Sequence, residues 1–110
     1  MDSRETRLAK NETLFREVNE RIEQAVGRLG AHDDHVYEFL CECSNSDCTL
    51  LLPLTIGEYE SVRTDSRQFI VAPGHDLPEI EAVVAREPGY QVVRKQGEAA
   101  EYVAELDPRS

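Results

Sequence analysis

The sequence predicts an α+β fold, in which a long N-terminal amphipathic helix is followed by a small sheet with two short helices and a zinc-pinned β-hairpin. Three observations support this prediction. Apolar residues recur at helical spacing over residues 4–29, the period changes to two from Val36, and the three cysteines lie together between Cys41 and Cys48. A chain of 110 residues has room for one compact domain of ordinary size.

The helix is predicted from a stripe of apolar residues that repeats every seven positions. Its members are Leu8, Phe15, Ile22 and Leu29, with Asn11, Val18 and Ala25 at the second seam position and Leu14 and Val26 at its sides. One interpretation is a helix that packs this stripe on its own domain. The other is a dimerisation or docking helix, in which Asn11 would set the register of a helix pair.

A hairpin is predicted next, because apolar and polar residues alternate from Val36. One face would carry Val36, Glu38, Leu40 and Glu42, and the other Tyr37, Phe39, Cys41 and Cys43. A polar loop at residues 44–47 leads to Cys48 and to an apolar run at residues 49–54, which predicts the partner strand. The cysteines would therefore lie at the tip of the hairpin.

The remaining elements are predicted from capping and turn signals. Thr55 to Glu58 has the form of a capping box, which predicts a short helix to about residue 64, and residues 69–72 form an apolar strand. Asp76 is predicted as the N-cap of a further helix, which buries Leu77, Ile80, Val83 and Val84 and ends at Pro88 and Gly89. Residues 90–95 read as a strand, and residues 98–106 as either a helix or an irregular tail.

Charge divides the chain into two parts. The protein has 12 basic and 22 acidic residues, a net charge of −10, and the whole excess lies after Gly30. We therefore distinguish a helix at residues 1–30 from an acidic α+β module at residues 31–110. An acidic surface repels phosphates and anionic lipids, so we expect no nucleic acid and no membrane among the partners.

The N-terminal residues are charged and lack an apolar segment of the kind found in signal peptides. An odd number of closely spaced cysteines also argues against a disulfide framework and for metal or thiol chemistry in a reducing compartment. We therefore expect a cytoplasmic protein.

The three cysteines have the spacing C-x-C-x4-C, which can bring three thiolates to one ion. Thiolate ligands favour zinc, and a tetrahedral site needs a fourth donor. His75 is the leading candidate because Pro73 and Gly74 predict a sharp turn that can direct its side chain. His35 and His32 are the alternatives. The predicted cofactor is thus structural Zn²⁺, held by Cys41, Cys43, Cys48 and His75.

The cysteine spacing resembles that of the post-SET zinc motif, in which three cysteines in this pattern take their fourth ligand from a distant part of the chain. More of the sequence resembles a group of small uncharacterised actinobacterial proteins. The similar segments are residues 14–23, 39–43 with 47–48, 58–63, 69–75 and 97–101. This resemblance implies no activity.

These observations predict a non-enzymatic, zinc-stabilised protein-interaction or regulatory module, whose N-terminal helix binds a protein partner or a second copy of the chain. The first alternative is a thiol redox-responsive zinc switch. A zinc-dependent hydrolase would need an open coordination position, which three thiolates disfavour. Three buried thiols without a metal form the plainest alternative. The sequence has no Gly-rich phosphate loop, H-E-x-x-H or G-x-S-x-G motif.

Overall fold

The structure, a computed structural model, describes residues 1–28 and 34–109. It confirms the predicted α+β class with its long N-terminal helix. The elements in chain order are α1 (Ser3–Arg28), β1 (Val36–Leu40), β2 (Leu51–Thr55), α2 (Ile56–Val62), β3 (Gln68–Val71), β4 (Glu81–Glu87), β5 (Tyr90–Lys95) and α3 (Gly97–Glu105).

The strands β1 and β2 form the predicted antiparallel hairpin, with Phe39 opposite Leu52. Its inner face is buried in the core, where the ring of Phe39 stacks on that of Tyr59 with centroids 4.6 Å apart. Pro53 lies within β2 and is tolerated because this two-stranded sheet leaves β2 with a strand partner on one side only. The hairpin thereby presents its tip, with the cysteines, to the rest of the chain.

The other three strands form an antiparallel sheet in the order β3, β5, β4. Here the prediction of a helix from Asp76 is wrong, because residues 78–80 form a turn and the following segment is β4. Glu87 pairs with Tyr90 across the Pro88 and Gly89 turn, and Gly89 has the positive φ of +87° that such a turn requires. Pairing with β5 thus outweighs the local helical pattern.

Both short helices flank these sheets. The capping box at the start of α2 is confirmed, since Thr55 Oγ1 accepts from Glu58 N and Glu58 Oε1 accepts from Thr55 N. At residues 98–106 the structure selects the helical alternative, α3, which buries Ala99, Ala100 and Val103. The fold therefore has two short helices, as predicted in number. The second one is α3, which follows β5, and not a helix that begins at Asp76.

The buried face of α1 differs from the predicted apolar stripe. The side chains it buries are mostly polar, namely Ala9, Glu12, Thr13, Arg16, Asn19 and Glu20. Leu8, Phe15 and Ile22 are only half-buried, whereas Leu14 and Val18 are 52% and 42% exposed. Ala25 is exposed, and Leu29 lies outside the described residues. The apolar stripe therefore lies along the edge of the face that packs on the sheets. Mostly polar residues occupy the centre of that face.

Hydrogen bonds explain this orientation of α1. The fully buried guanidinium of Arg16 donates to Ser66 O at 2.6 Å and to Val103 O at 2.8 Å, and lies 4.4 Å from the ring centroid of Phe69. Asn11, which was predicted at a helix-pair seam, donates to the carbonyl oxygen of Ser44 at 3.0 Å. Buried polar groups with such partners can replace an apolar packing face.

Candidate metal centre

The segment carrying Cys41 and Cys43 extends β1 between the two sheets. Cys41 N donates to Leu50 O at 3.0 Å, which continues the hairpin by one residue. Glu42 N then donates to Ile70 O at 2.7 Å, which joins the segment to β3. Both cysteine side chains are buried, as expected for neighbours two positions apart on one face of an extended segment.

A tight turn returns Cys48 to the first two cysteines. Cys48 N donates to Asn45 O at 3.0 Å, and Asp47 N donates to Asn45 Oδ1 at the same distance. An asparagine that accepts from the backbone two residues later stabilises such a turn without help from distant residues. The loop at residues 44–47 is therefore locally ordered, as its sequence predicts.

His75 reaches the cysteines from a turn after β3. His75 N donates to Ala72 O at 2.9 Å, Pro73 occupies the second turn position, and Gly74 in the third has φ +84°. Proline followed by a residue of positive φ is the pattern of a type II turn. The predicted sharp turn is thus confirmed, although Asp76 begins no helix.

These turns bring four donor atoms together. The three sulfurs and a ring nitrogen of His75 all lie within 4.8 Å of one another. His75 Nδ1 is 3.7 Å from Cys41 Sγ and 3.8 Å from Cys48 Sγ. Tetrahedral zinc with Zn–S bonds of about 2.3 Å and Zn–N bonds of about 2.0 Å separates sulfur from nitrogen by about 3.5 Å. The cluster, whose cysteines are all free, therefore has the dimensions of a metal site.

Of the two alternative histidines, the structure describes His35, which does not join this cluster. His35 is exposed, and its ring centroid lies 4.4 Å from that of Tyr37. His32 falls outside the residues that the structure describes. Among the histidines that the structure describes, His75 is the one placed beside the sulfurs.

The thiols affect one another's protonation. A hydrogen bond from Cys41 lowers the pKa of Cys43 to about 5, with burial opposing the shift. The same hydrogen bond, together with burial, raises the pKa of Cys41 above its usual range. Ala72 N also donates to Cys41 Sγ at 3.1 Å, which favours negative charge on that sulfur. Cys43 is therefore the more acidic thiol of this pair, and a bound cation would favour deprotonation of Cys41 as well.

Glu42, between the first two cysteines, positions the cysteine segment, a role that the sequence pattern did not predict. It was expected on the face of Glu38 and Leu40, but it is fully buried. Its carboxylate accepts from Asn19 Nδ2 at 2.9 Å, Tyr59 Oη at 2.8 Å and Ile70 N at 3.0 Å. Burial raises the pKa of Glu42, although these hydrogen bonds oppose the shift. Glu42 thus fixes the cysteine segment against three other elements.

Asn19 of α1 binds the same segment at Leu40, the residue directly before Cys41. Its side-chain oxygen accepts from Leu40 N, and its nitrogen donates to Leu40 O, both at 2.8 Å. These bonds reproduce the pairing of a neighbouring strand at the end of β1. Only the tertiary structure shows this role, because an asparagine on a charged helix carries no signal that it faces inward.

Comparisons with protein-family models, curated proteins and solved structures give no match. Within the described residues, no helix has the combination of length and apolar character needed to cross a membrane.

Proposed function

We propose that the chain is a non-enzymatic protein-interaction or regulatory module stabilised by a structural Zn²⁺ ion bound to Cys41, Cys43, Cys48 and His75. The observation that supports this proposal is the convergence of four donors within 4.8 Å of one another. They come from the end of a strand, from a loop and from a distant turn. Three sulfurs with one imidazole match the donor preference of zinc.

The donor set also favours a structural ion over a catalytic one. Four protein ligands complete a tetrahedral shell, whereas catalytic zinc keeps one position for water or substrate. The three cysteines belong to the hairpin and His75 to the turn after β3, so one ion would join the two sheets. In small metal sites, zinc binding contributes about 10 kcal/mol or more to folding. A domain of this size would depend on that contribution.

We propose a second copy of the chain as the partner, bound through the outward face of α1. Leu14 and Val18 project there and are about half exposed, and Ala25 follows seven residues after Val18. Positions four and seven residues apart lie on one side of a helix, where another helix can cover them. The basic residues Arg7 and Arg21 are exposed on the same helix and would face acidic groups of the second copy.

Metal content provides the direct test of the zinc site. We expect protein purified without chelators to hold one zinc ion per chain, measured by elemental analysis and by native mass spectrometry. Removing the ion should lower the unfolding temperature sharply, because the two sheets lose their common ligand set. A metal-free protein that is equally stable, with three freely titrating thiols, would contradict the proposal.

The double substitution Leu14→Ser and Val18→Ser tests the interaction surface. Both side chains are exposed, so we expect thermal stability to change little while self-association is lost. Sedimentation velocity over a concentration series measures the association. The matched control is Leu8→Ser, which removes a half-buried side chain of the same helix and should reduce stability more than association. Wild-type protein that sediments as a monomer throughout would refute the dimer.

A further inference from the structure

We propose that the four-residue centre is also a peroxide-responsive site, in which Cys48 is oxidised first and then forms a disulfide with Cys43, so that the ion is released. This inference rests on the proposed zinc site and concerns its regulation. The first supporting observation is a difference in exposure. Cys41 and Cys43 are 1% and 2% exposed, whereas Cys48 is only half-buried. Cys48 is therefore the sulfur that a dissolved oxidant reaches first.

An open cavity lies beside the cluster and has a volume of about 260 Å³. Its lining includes the second cysteine and the histidine of the cluster: Cys43, Ser44, Asn45, Gly74, His75, Asp76 and Leu77. Hydrogen peroxide is scarcely larger than water, which occupies about 30 Å³ in the liquid, so the cavity can admit it. The cavity therefore opens the Cys43 and His75 side of the cluster to a small oxidant, while Cys48 is the more exposed sulfur.

The surroundings of the two buried cysteines favour Cys43 over Cys41 as the partner of Cys48. A disulfide between Cys41 and Cys43 is disfavoured, because their Cα atoms, two residues apart in an extended segment, are separated by about 6.6–7 Å, at the upper limit for a disulfide. Cys41 Sγ also accepts from Ala72 N at 3.1 Å. Cys43 and Cys48 instead flank the turn at residues 44–47, where the chain reverses.

The chemistry balances with hydrogen peroxide as the oxidant. The Cys48 thiolate attacks one peroxide oxygen, the O–O bond breaks, and the departing hydroxide takes a proton to form water. The Cys43 thiolate then attacks the sulfenic sulfur of Cys48. An S–S bond forms, the S–O bond breaks, and the second hydroxide also becomes water. Two thiolates are oxidised by two electrons, and one peroxide is reduced to two water molecules.

Loss of these two thiolates leaves Cys41 and His75 as the only ligands of the original set. Two donors do not hold zinc in a tetrahedral protein site, so the ion dissociates. The loop between the new disulfide partners also contains Ser44, whose carbonyl oxygen accepts from Asn11 of α1. Oxidation would therefore loosen α1 near that contact, which links the state of the metal site to the helix proposed to bind the second copy.

Zinc-loaded full-length protein treated with increasing hydrogen peroxide tests this inference. We expect one zinc ion released per peroxide consumed, followed with a chromophoric zinc indicator. Differential alkylation and mass spectrometry should show a Cys43–Cys48 disulfide with Cys41 alkylated. A thiol reductant plus zinc should restore the original metal content. Retention of zinc in excess peroxide, or a disulfide that contains Cys41, would overturn the inference.

Two controls separate this result from failure of the proposed function. Protein that holds no zinc before peroxide is added contradicts the zinc site itself, whereas zinc that is present but resists peroxide contradicts only the switch. In Cys48→Ser, oxidation of the remaining thiols should be at least about tenfold slower. If that variant does not fold, the disulfides identified in the oxidised wild-type protein test the inference by themselves.

Discussion

Cys43→Ser is expected to abolish zinc retention and to destabilise the fold severely, whereas His75→Ala should leave a weakened but occupied site. Cys43 lies in the segment between the two sheets, so its loss removes a thiolate and disturbs the geometry of both neighbouring ligands. In His75→Ala, three thiolates remain and water can complete the shell. Even the loss of a group that merely orients a ligand reduces metal affinity by about 10–100-fold. Competition with a chromophoric chelator, together with thermal unfolding, measures both effects.

His35→Ala is the matched control for the histidine. His35 is exposed and contacts the ring of Tyr37 outside the cluster, so its removal should leave zinc affinity unchanged. Equal zinc affinity of Cys43→Ser and the wild-type protein would show that Cys43 is not a ligand. Loss of zinc in His35→Ala would instead contradict the assignment of His75 as the fourth ligand.

The centre could be predicted from sequence because its parts are local. The spacing of the cysteines, the polar loop that turns back to Cys48, and the Pro73 and Gly74 turn before His75 are all short-range features. What the sequence does not contain is the pairing of the hairpin tip with β3 that brings His75 to the sulfurs. The fourth ligand was instead inferred from coordination chemistry, since three thiolates leave one position of a tetrahedral zinc site to fill.

The segment after Asp76 shows where local patterns are insufficient. Leu77, Ile80 and Val83 have helical spacing, and Asp76 is a good N-cap, yet residues 81–87 form β4. The deciding interaction is with β5, and residues such as Val83 are β-branched and suit a strand. An irregularity between Val83 and Ala85 further obscures the alternation by which the strand could have been recognised.

The orientation of α1 was missed for a related reason. Glu12, Arg16 and Glu20 lie outside the predicted apolar stripe, and charged residues are seldom buried unless they are paired. Each has partners that are distant in sequence, such as Arg63 Nε, which donates to Glu20 Oε1 at 2.8 Å. A buried charge with its partners in place is tolerated, but the sequence of the helix by itself cannot reveal them.

Lys95→Met is expected to destabilise the protein by about 3–5 kcal/mol, the usual effect of removing one partner from a buried ion pair. Lys95 Nζ contacts Oε1 of both Glu12 and Glu81, and all three side chains are at most 1% exposed. Without the ammonium, two carboxyl groups would remain in the core with no cation between them. Urea unfolding of the zinc-saturated variant at pH 7 measures the loss.

The pH dependence of this loss identifies its origin. Burial raises the pKa of Glu12 well above its usual range, while Lys95 opposes the shift. The folded protein therefore keeps a proton that the unfolded chain releases above about pH 4.5, so this group lowers stability as pH rises through the folded pKa. Removing Lys95 enlarges the upward shift of the Glu12 pKa, because the lysine opposes it. The difference in the free energy of unfolding between Lys95→Met and the wild-type protein should consequently narrow as the pH falls from about 8 toward 5.5.

Two substitutions serve as controls for the lysine. Lys10→Met removes an exposed lysine from α1 and should change stability by at most about 0.5 kcal/mol. Glu12→Gln supplies a neutral amide where burial already favours a neutral carboxyl group, so it should be less destabilising than Lys95→Met. A pH-independent deficit in Lys95→Met would attribute the effect to packing of the side chain. A deficit no larger than that of Lys10→Met would show that the buried ammonium contributes nothing to holding α1 against β4 and β5.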